Sequence, residues 1–198
     1  MSTRGQAHTL EAITASILLI GGLVFALQAT AVTPLSASTS SQHIENQQGA
    51  SAQGALAAAI DRGALKPAVL NWNESTGEFY GTQENDTYYT NSAPENTFGR
   101  ILDRTFADRG VVFNVYVEYE RTDARRERQP MVYRGAPSDN AVTATTMVTL
   151  TDDDVLYDEN TMATDTTVQA TSDFYAPDTS SSTGLYNVVE VEVVVWRQ

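Results

Sequence analysis

The sequence predicts an α+β protein in which a long N-terminal, transmembrane helix precedes an antiparallel β-sheet body with one additional amphipathic helix. Three patterns predict this class. Residues 12–32 are uncharged and mostly apolar, residues 52–60 carry small and apolar side chains at helical spacing, and the second half of the chain alternates apolar and polar residues. A chain of 198 residues is long enough for one domain and an appendage.

We divide the chain into three segments. Residues 1–33 form a cytoplasmic leader and transmembrane helix, residues 34–66 a polar helix or stalk, and residues 67–198 an extracytoplasmic α+β body. The 21 residues from Ala12 to Val32 would be about 30 Å long as a helix, which spans a bilayer. Pro34 predicts a break or kink just outside. Arg4 in front of the span favours a cytoplasmic N-terminus and an external body.

Three interpretations of this first segment compete. It is a plain signal anchor, a secretory signal peptide cleaved after Ala29-Thr30-Ala31, or an anchor that keeps its apolar segment after a short leader is removed in front of it. An acidic residue, Glu11, stands at the entrance of the apolar run, which is unusual in a secretory peptide and costly in a membrane.

The third interpretation accounts for Glu11. Arg4-Gly5-Gln6, a short polar stretch ending in Glu11 and about twenty apolar residues together resemble the N-terminus of type IV pilin-like proteins, particularly archaeal ones. The resemblance implies cleavage by a prepilin-type peptidase between Gly5 and Gln6, which makes Glu11 the sixth mature residue where the family has its Glu at the fifth. Cleavage after Gln6 restores the fifth position but places Gln where the family usually has Gly or Ala. It also implies that Glu11 docks on the N-terminal amine of a neighbouring subunit.

A helix is predicted where residues 34–66 approach the body. Apolar residues recur at i, i+3, i+4, i+7 and i+8, and Gly63 and Pro67 predict its end. The members of this face are Ala52, Ala55, Leu56, Ala59 and Ile60.

The body begins with a predicted hairpin and a helix. A turn-rich run at 73–77 separates short apolar pieces at 69–72 and 78–80. Ser92 and Glu95 match a capping box, with Pro94 in the first turn, and an apolar face follows. That face consists of Phe98, Ile101, Leu102, Thr105 and Phe106.

The remainder predicts strands. Alternation indicates long strands near 111–119, 142–150 and 189–195 and shorter ones at 131–134 and 166–171, with loops at 152–164 and 179–183. Glu190 and Glu192 fall on the face opposite the valines, so we expect a sheet solvated on one face.

Composition limits the environment and partners. The formal charge is −13, eleven of the twelve basic residues are arginine, and there is no cysteine. The negative charge argues against nucleic-acid binding, and the absence of cysteine excludes a disulfide scaffold. An acidic, lysine-poor surface favours adaptation to high salt and hence a halophilic, archaeal source, because concentrated salt screens self-repulsion; the alternative is an ordinary acidic protein.

The sequence predicts neither an enzyme nor a bound cofactor. The histidines, His8 and His43, both lie in the N-terminal arm, and no phosphate-binding loop or dinucleotide motif exists. Asp152, Asp153 and Asp154 are a weak calcium candidate that lacks the EF-hand spacing, so a solvated loop is favoured.

Two further features are candidate surface sites. Arg121, Arg125, Arg126 and Arg128 form a basic cluster that either contacts an acidic patch on a partner or pairs with neighbouring acids. Asn73 and Asn85 begin N-glycosylation sequons in predicted loops.

The sequence therefore favours a pilin-like structural or assembly component of a surface filament or secretion apparatus. Its expected partners are the membrane, other pilin-like subunits or copies of itself, and a prepilin-type peptidase. The alternative is a single-pass surface binding module that does not polymerise.

Overall fold

The computed structural model describes residues 3–83 and 86–197, and the side chains of residues 3–8 and 29–41 lie outside this description. The chain divides into two compact units, Met1–Ile44 and Glu45–Gln198. The predicted α+β class is confirmed: an apolar N-terminal helix is followed by antiparallel sheets and further helices.

The first unit is helical throughout its described part. Helix α1 extends over Thr3–Asp61 and therefore contributes residues to both units. The helix continues across Pro34, so the predicted break there is wrong. A proline removes one backbone donor and crowds one carbonyl, and the remaining hydrogen bonds of a long helix can outweigh that local cost.

In the second unit, the last turns of α1 join the hydrophobic core. Ala52, Ala55, Leu56 and Ala59 are buried, as the helical spacing predicts. Ile60, predicted on the same face, is instead 49% exposed. The helix ends one residue later, and the chain turns away at Gly63, whose φ is +60°.

A short second helix follows where the sequence predicted a stop. Helix α2 comprises Leu65–Val69 and buries Leu65, Ala68 and Val69. Pro67 lies within its first turn, where the missing N–H has no helical partner to lose.

The body contains one four-stranded antiparallel sheet and two small two-stranded sheets. The large sheet has the order β4-β3-β8-β5, and the small ones pair β1 with β2 and β6 with β7. The strands are β1 (Trp72–Asn73), β2 (Glu78–Phe79), β3 (Val112–Glu120), β4 (Arg126–Val132), β5 (Val142–Thr151), β6 (Val155–Tyr157), β7 (Ala163–Thr167) and β8 (Leu185–Trp196).

The large sheet buries one face, as predicted. Alternate residues of β3 and β8 enter the same core as α1, and Glu190 and Glu192 lie on the opposite face. That second face also holds a small apolar group, Tyr116, Val194 and Trp196. Buried members of the core face are Phe113, Val115, Val117, Val189, Val191, Val193 and Val195.

Helix α3 comprises Thr97–Thr105, and its predicted apolar face is buried. The predicted capping box of Ser92 and Glu95 is wrong: the N-cap is Asn96, whose side-chain oxygen accepts a hydrogen bond from Gly99 N at 3.0 Å. Pro94 precedes the helix and packs so closely that a Cβ on Gly99 would lie 1.8 Å from Pro94 O.

Several strand boundaries differ from the predicted ones, and β8 begins at Leu185, four residues before the predicted start at 189. Strand β4 begins at Arg126, earlier than the expected 131–134, because its first half pairs with the polar end of β3. Strand β7 likewise lies upstream of the predicted 166–171. The expected loop at 152–164 contains β6, because Leu156 is buried in the core.

Candidate functional site

Among the residues that the structure describes, one helical segment is long and apolar enough to cross a membrane, Thr9–Gln28, and none of it is buried. Its large side chains face outward, with Leu18, Leu19 and Phe25 each about three-quarters exposed. Each such side chain gains about 1.5–3 kcal/mol when it leaves water. This surface is therefore suited to lipid or to other apolar helices.

The polar groups within this segment are accommodated by the helix itself. Thr14 Oγ1 donates to Leu10 O at 2.9 Å, and Ser16 Oγ donates to Ala12 O at 2.7 Å. Because hydroxyls that bond to the preceding turn have no need of water, these residues are compatible with an apolar environment.

The predicted processing and docking residues lie at the start of the same helix. Glu11 is an exposed residue of α1, within the candidate span. Gly5 and Gln6 have helical backbone, and the side chain of Gln6 lies outside the described set. Thr9 and Glu11 both take part in further interactions.

The structure pairs all four arginines of the predicted basic cluster with acids of the same chain. Arg121 binds Glu127 at 2.7 Å, and Arg125 binds Asp123 at 2.7 Å, around the turn between β3 and β4. Local pairing, one of the two interpretations left open by the sequence, therefore holds for Arg121 and Arg125. A contact with a partner remains a prediction.

The remaining two arginines form a charge ladder across the exposed face of the large sheet. Arg126 binds Glu190 at 2.8 Å, and Arg128 binds Glu118 at 3.0 Å and also Glu192. The guanidinium of Arg128 stacks 4.1 Å above the Tyr116 ring. These contacts join β4, β3 and β8, because diagonal neighbours on a sheet are within reach of long side chains.

The ladder and the turn perturb the titration of their members. Hydrogen bonds from Tyr119 and Arg121 lower the pKa of Glu127, and the bond from Arg126 lowers that of Glu190. Burial raises the pKa of Glu192 despite the opposing charge of Arg128. The ladder therefore holds two carboxylates in different electrostatic environments on one strand.

A pocket of about 400 Å³ opens beside this turn. Tyr119 hydroxyl donates to Glu127 at 2.8 Å at its rim, and Tyr186 hydroxyl donates to Ala176 O at 2.9 Å in its wall. Burial raises the pKa of both tyrosines to about 12. The walls combine aromatic rings with polar groups, among them Tyr119, Arg121, Glu127, Gln169, Phe174, Asp178 and Tyr186.

Sequence reasoning missed this pocket because its wall comes from separate segments. Residues 119–127 and 168–178 are far apart in the chain, and Tyr186 follows later still. The recurrence of aromatic residues at 174, 175 and 186 is the one available signal, and it equally predicts core.

The weak calcium candidate does not converge on a cation position. Asp154 binds Lys66 Nζ at 2.6 Å and accepts from Thr151 N at 2.7 Å, whereas Asp152 accepts from Gln169 at 3.2 Å. Asp153 is exposed. Residues 3–83 and 86–197 contain no group of three or more metal-ligating side chains. The ion pair of Asp154 with Lys66 joins α2 to the turn between β5 and β6, so Asp154 is not part of the expected solvated loop.

The first glycosylation sequon occupies a strand end. Asn73 is half-buried in β1, and its side-chain oxygen accepts from Ser75 N at 3.0 Å. The predicted loop placement is thus wrong for Asn73, because the hairpin turn begins one residue later. Asn85 lies outside the described residues.

Comparison with known proteins gives one family. No curated protein and no solved structure matches the chain. A family model described as "Family of unknown function (DUF7288)" matches residues 4–195, which include both the apolar N-terminal segment and the body. The chain therefore belongs to the family DUF7288.

Proposed function

We propose that this protein is a pilin-like structural or assembly component of a cell-surface filament or secretion apparatus, anchored by its N-terminal helix. The observation that carries the proposal is helix α1, Thr3–Asp61. One uninterrupted helix contains an apolar span at one end and core residues of an α+β body at the other. A structural subunit needs both elements and no catalytic centre.

The outward-facing apolar surface of Thr9–Gln28 supports assembly as well as anchoring. The same leucines and phenylalanine that suit a bilayer suit packing against helices of neighbouring subunits. Glu11 at the entrance of this segment would pair with a neighbour's N-terminal amine, since a charge in an apolar environment is tolerated when it is compensated. Removal of the residues before Gln6 by a prepilin-type peptidase would create that amine.

The proposed topology places the N-terminus in the cytoplasm and the body outside the cell. The acidic body and the near-absence of lysine support a halophilic, archaeal cell surface, where high salt screens repulsion between strongly acidic subunits.

The mature N-terminus, measured by mass spectrometry of native membranes, tests processing. A start at Gln6 or Ala7 supports the proposal. An intact or Met-trimmed start contradicts leader processing and favours a surface module, whereas a start at Val32 identifies a secreted domain.

A paired substitution tests assembly itself. Glu11→Gln should insert in the membrane normally yet disappear from sheared surface filaments. Glu45→Gln, the same chemical change farther along α1, should leave filaments intact. Filaments of normal yield from the Glu11→Gln strain would contradict the docking role.

The pocket beside Tyr119 favours a second candidate function. A membrane-anchored module that binds an external ligand and never polymerises would use this 400 Å³ cavity, because concave sites with mixed aromatic and polar walls are typical of ligand binding. An unprocessed N-terminus together with loss of ligand retention in Tyr119→Ala would support this candidate over the first.

A further inference from the structure

The two edges of the large sheet are built differently. Strand β4 carries Arg126 and Arg128 and contains Pro130, and its register shifts opposite β3. Tyr89 then covers the end of β4, with Tyr89 N donating to Met131 O at 2.9 Å. Sheet edges avoid pairing with a further strand by four such devices: charged side chains, proline, an irregular register and a covering segment.

Strand β5, at the other edge, has none of these devices. Its 10 residues, Val142–Thr151, include neither charge nor proline. Its register with β8 is regular until the last position, Leu150/Thr151. In the described part of the chain β5 pairs with β8 alone, so its outer edge presents alternate backbone donors and acceptors without a strand partner.

The side chains along β5 are also open to contact. Thr143, Thr145 and Thr149 are exposed on one face, and Met147 between them is 68% exposed. Beside Met147, a shallow depression of about 210 Å³ is lined by Ile60, Leu65 and neighbouring atoms of β5.

The charged side chains that face β5 from β8 and α2 are paired within the chain, while Asp152 and Asp153 lie beyond its last residue. Glu190 and Glu192, on the adjacent strand, are paired with Arg126 and Arg128. Lys66, which lines the depression, is paired with Asp154. A chain of charge −13 thus presents an uncharged strip along one edge. Such a strip offers little to a charged partner and matches a second copy of itself.

We propose that β5 is a self-association edge at which a second copy of this chain adds its own β5 in antiparallel orientation. A two-fold axis then relates the two strands, each contributing the same residues, and the two four-stranded sheets become one sheet of eight strands. The interface uses no residue before Ile60, so it is independent of the helix-mediated assembly proposed above.

Site-specific cross-linking of the full chain in detergent at high salt tests this interface. The sequence has no cysteine, so single substitutions Thr143→Cys, Thr145→Cys and Thr149→Cys each report one position. With a short bifunctional thiol reagent, the dimer yield should be high at the positions nearest the two-fold axis and fall steeply away from it, because the distance between the two copies of a residue grows along the strand. Ser181→Cys, exposed in a loop, is the control. Equal yields at all β5 positions, or a yield as high at Ser181→Cys, would overturn the proposal.

A charge test follows in the cysteine variant that cross-links best. Met147→Lys should lower the dimer yield about tenfold, since each copy then buries an unpaired charge in an uncharged strip, and Met147→Gln should retain most of it. Circular dichroism checks that both variants fold. The same yield from both variants would also overturn the proposal. Glu11→Gln should not affect the cross-link, which separates failure of this interface from failure of filament docking.

Discussion

Lys66 Nζ lies 2.6 Å and 2.8 Å from the two carboxylate oxygens of Asp154, so the single lysine of the chain joins α2 to the loop between β5 and β6. The same carboxylate accepts from Thr151 N at 2.7 Å. Asp154 therefore closes the end of β5 while it holds the helix that follows α1.

Removal of Lys66 and removal of Asp154 should lower the free energy of unfolding by different amounts. We expect Lys66→Met to lower the free energy of unfolding by less than about 1 kcal/mol, because the lysine is partly exposed. Asp154→Ala should cost about 1–2 kcal/mol, since it also leaves Thr151 N without its acceptor. Urea unfolding of both single variants and the double variant measures the coupling. A larger loss for Lys66→Met than for Asp154→Ala would contradict this assignment.

Two glycine substitutions should act in opposite directions. Gly99→Ala should lower the free energy of unfolding by about 3 kcal/mol, because the new Cβ would lie 1.8 Å from Pro94 O, an atom of the backbone. Gly54→Ala should raise it by about 0.5–1 kcal/mol, since Gly54 is a helical residue with nothing within 4 Å of its Cβ position. Thermal unfolding of the two variants checks both signs. A Gly99→Ala variant as stable as the parent chain would show that the Pro94 turn yields easily.

The N-cap of α3 can be tested against the capping box that the sequence suggested. Asn96→Ala should cost about 1 kcal/mol, because Gly99 N loses its acceptor, and Asn96→Ser should restore part of that. Ser92→Ala should be neutral, since Ser92 is exposed and lies outside the helix. Chemical unfolding measures all three, and a destabilising Ser92→Ala with a neutral Asn96→Ala would reverse the assignment.

Stability should fall in acid through Glu127 of the turn and Glu190 of the ladder, whereas Glu192, whose pKa is raised by burial, acts in the opposite direction. Glu127 and Glu190 have lowered pKa values in the folded chain, so the unfolded chain takes up protons first as pH falls below about 5. Their contribution is complete above the ordinary glutamate pKa of 4.5 and is lost below it. Arg126→Gln should flatten this acid limb in a pH series of urea unfolding; an unchanged slope would contradict a role for the Glu190 pair.

Stability should also fall in base, through the buried tyrosines. The pKa values of Tyr119 and Tyr186 rise to about 12 from 10.0, so the unfolded chain releases protons first between these values. The contribution of each hydroxyl is complete below pH 10 and is lost as pH rises towards 12. Tyr186→Phe should weaken this basic limb, which unfolding followed across the same pH range would reveal. A Tyr186→Phe chain that loses stability as steeply as the parent would contradict the assignment.

Several elements follow from the sequence because their signals are local. Each of these signals lies within one segment of the chain. They are the apolar run of bilayer length near residues 12–32, the helical spacing of Ala52, Ala55, Leu56 and Ala59, and the alternating valines of β8. Burial then occurs on the face that the periodicity defines. These signals suffice for the α+β class and for the sheet with one solvated face.

Tertiary contacts decided the rest. Asn96 rather than Ser92 caps α3, because the turn at Pro94 places the Asn96 oxygen at Gly99 N. Arg126 and Arg128 find acids on β8, which lies more than sixty residues further along the chain. Asp154 forms an ion pair with Lys66, which is 88 positions away in the sequence. This aspartate therefore has a structural role and is not a cation ligand. Partners so distant leave no periodic trace in the sequence, because strand order and register alone bring them together.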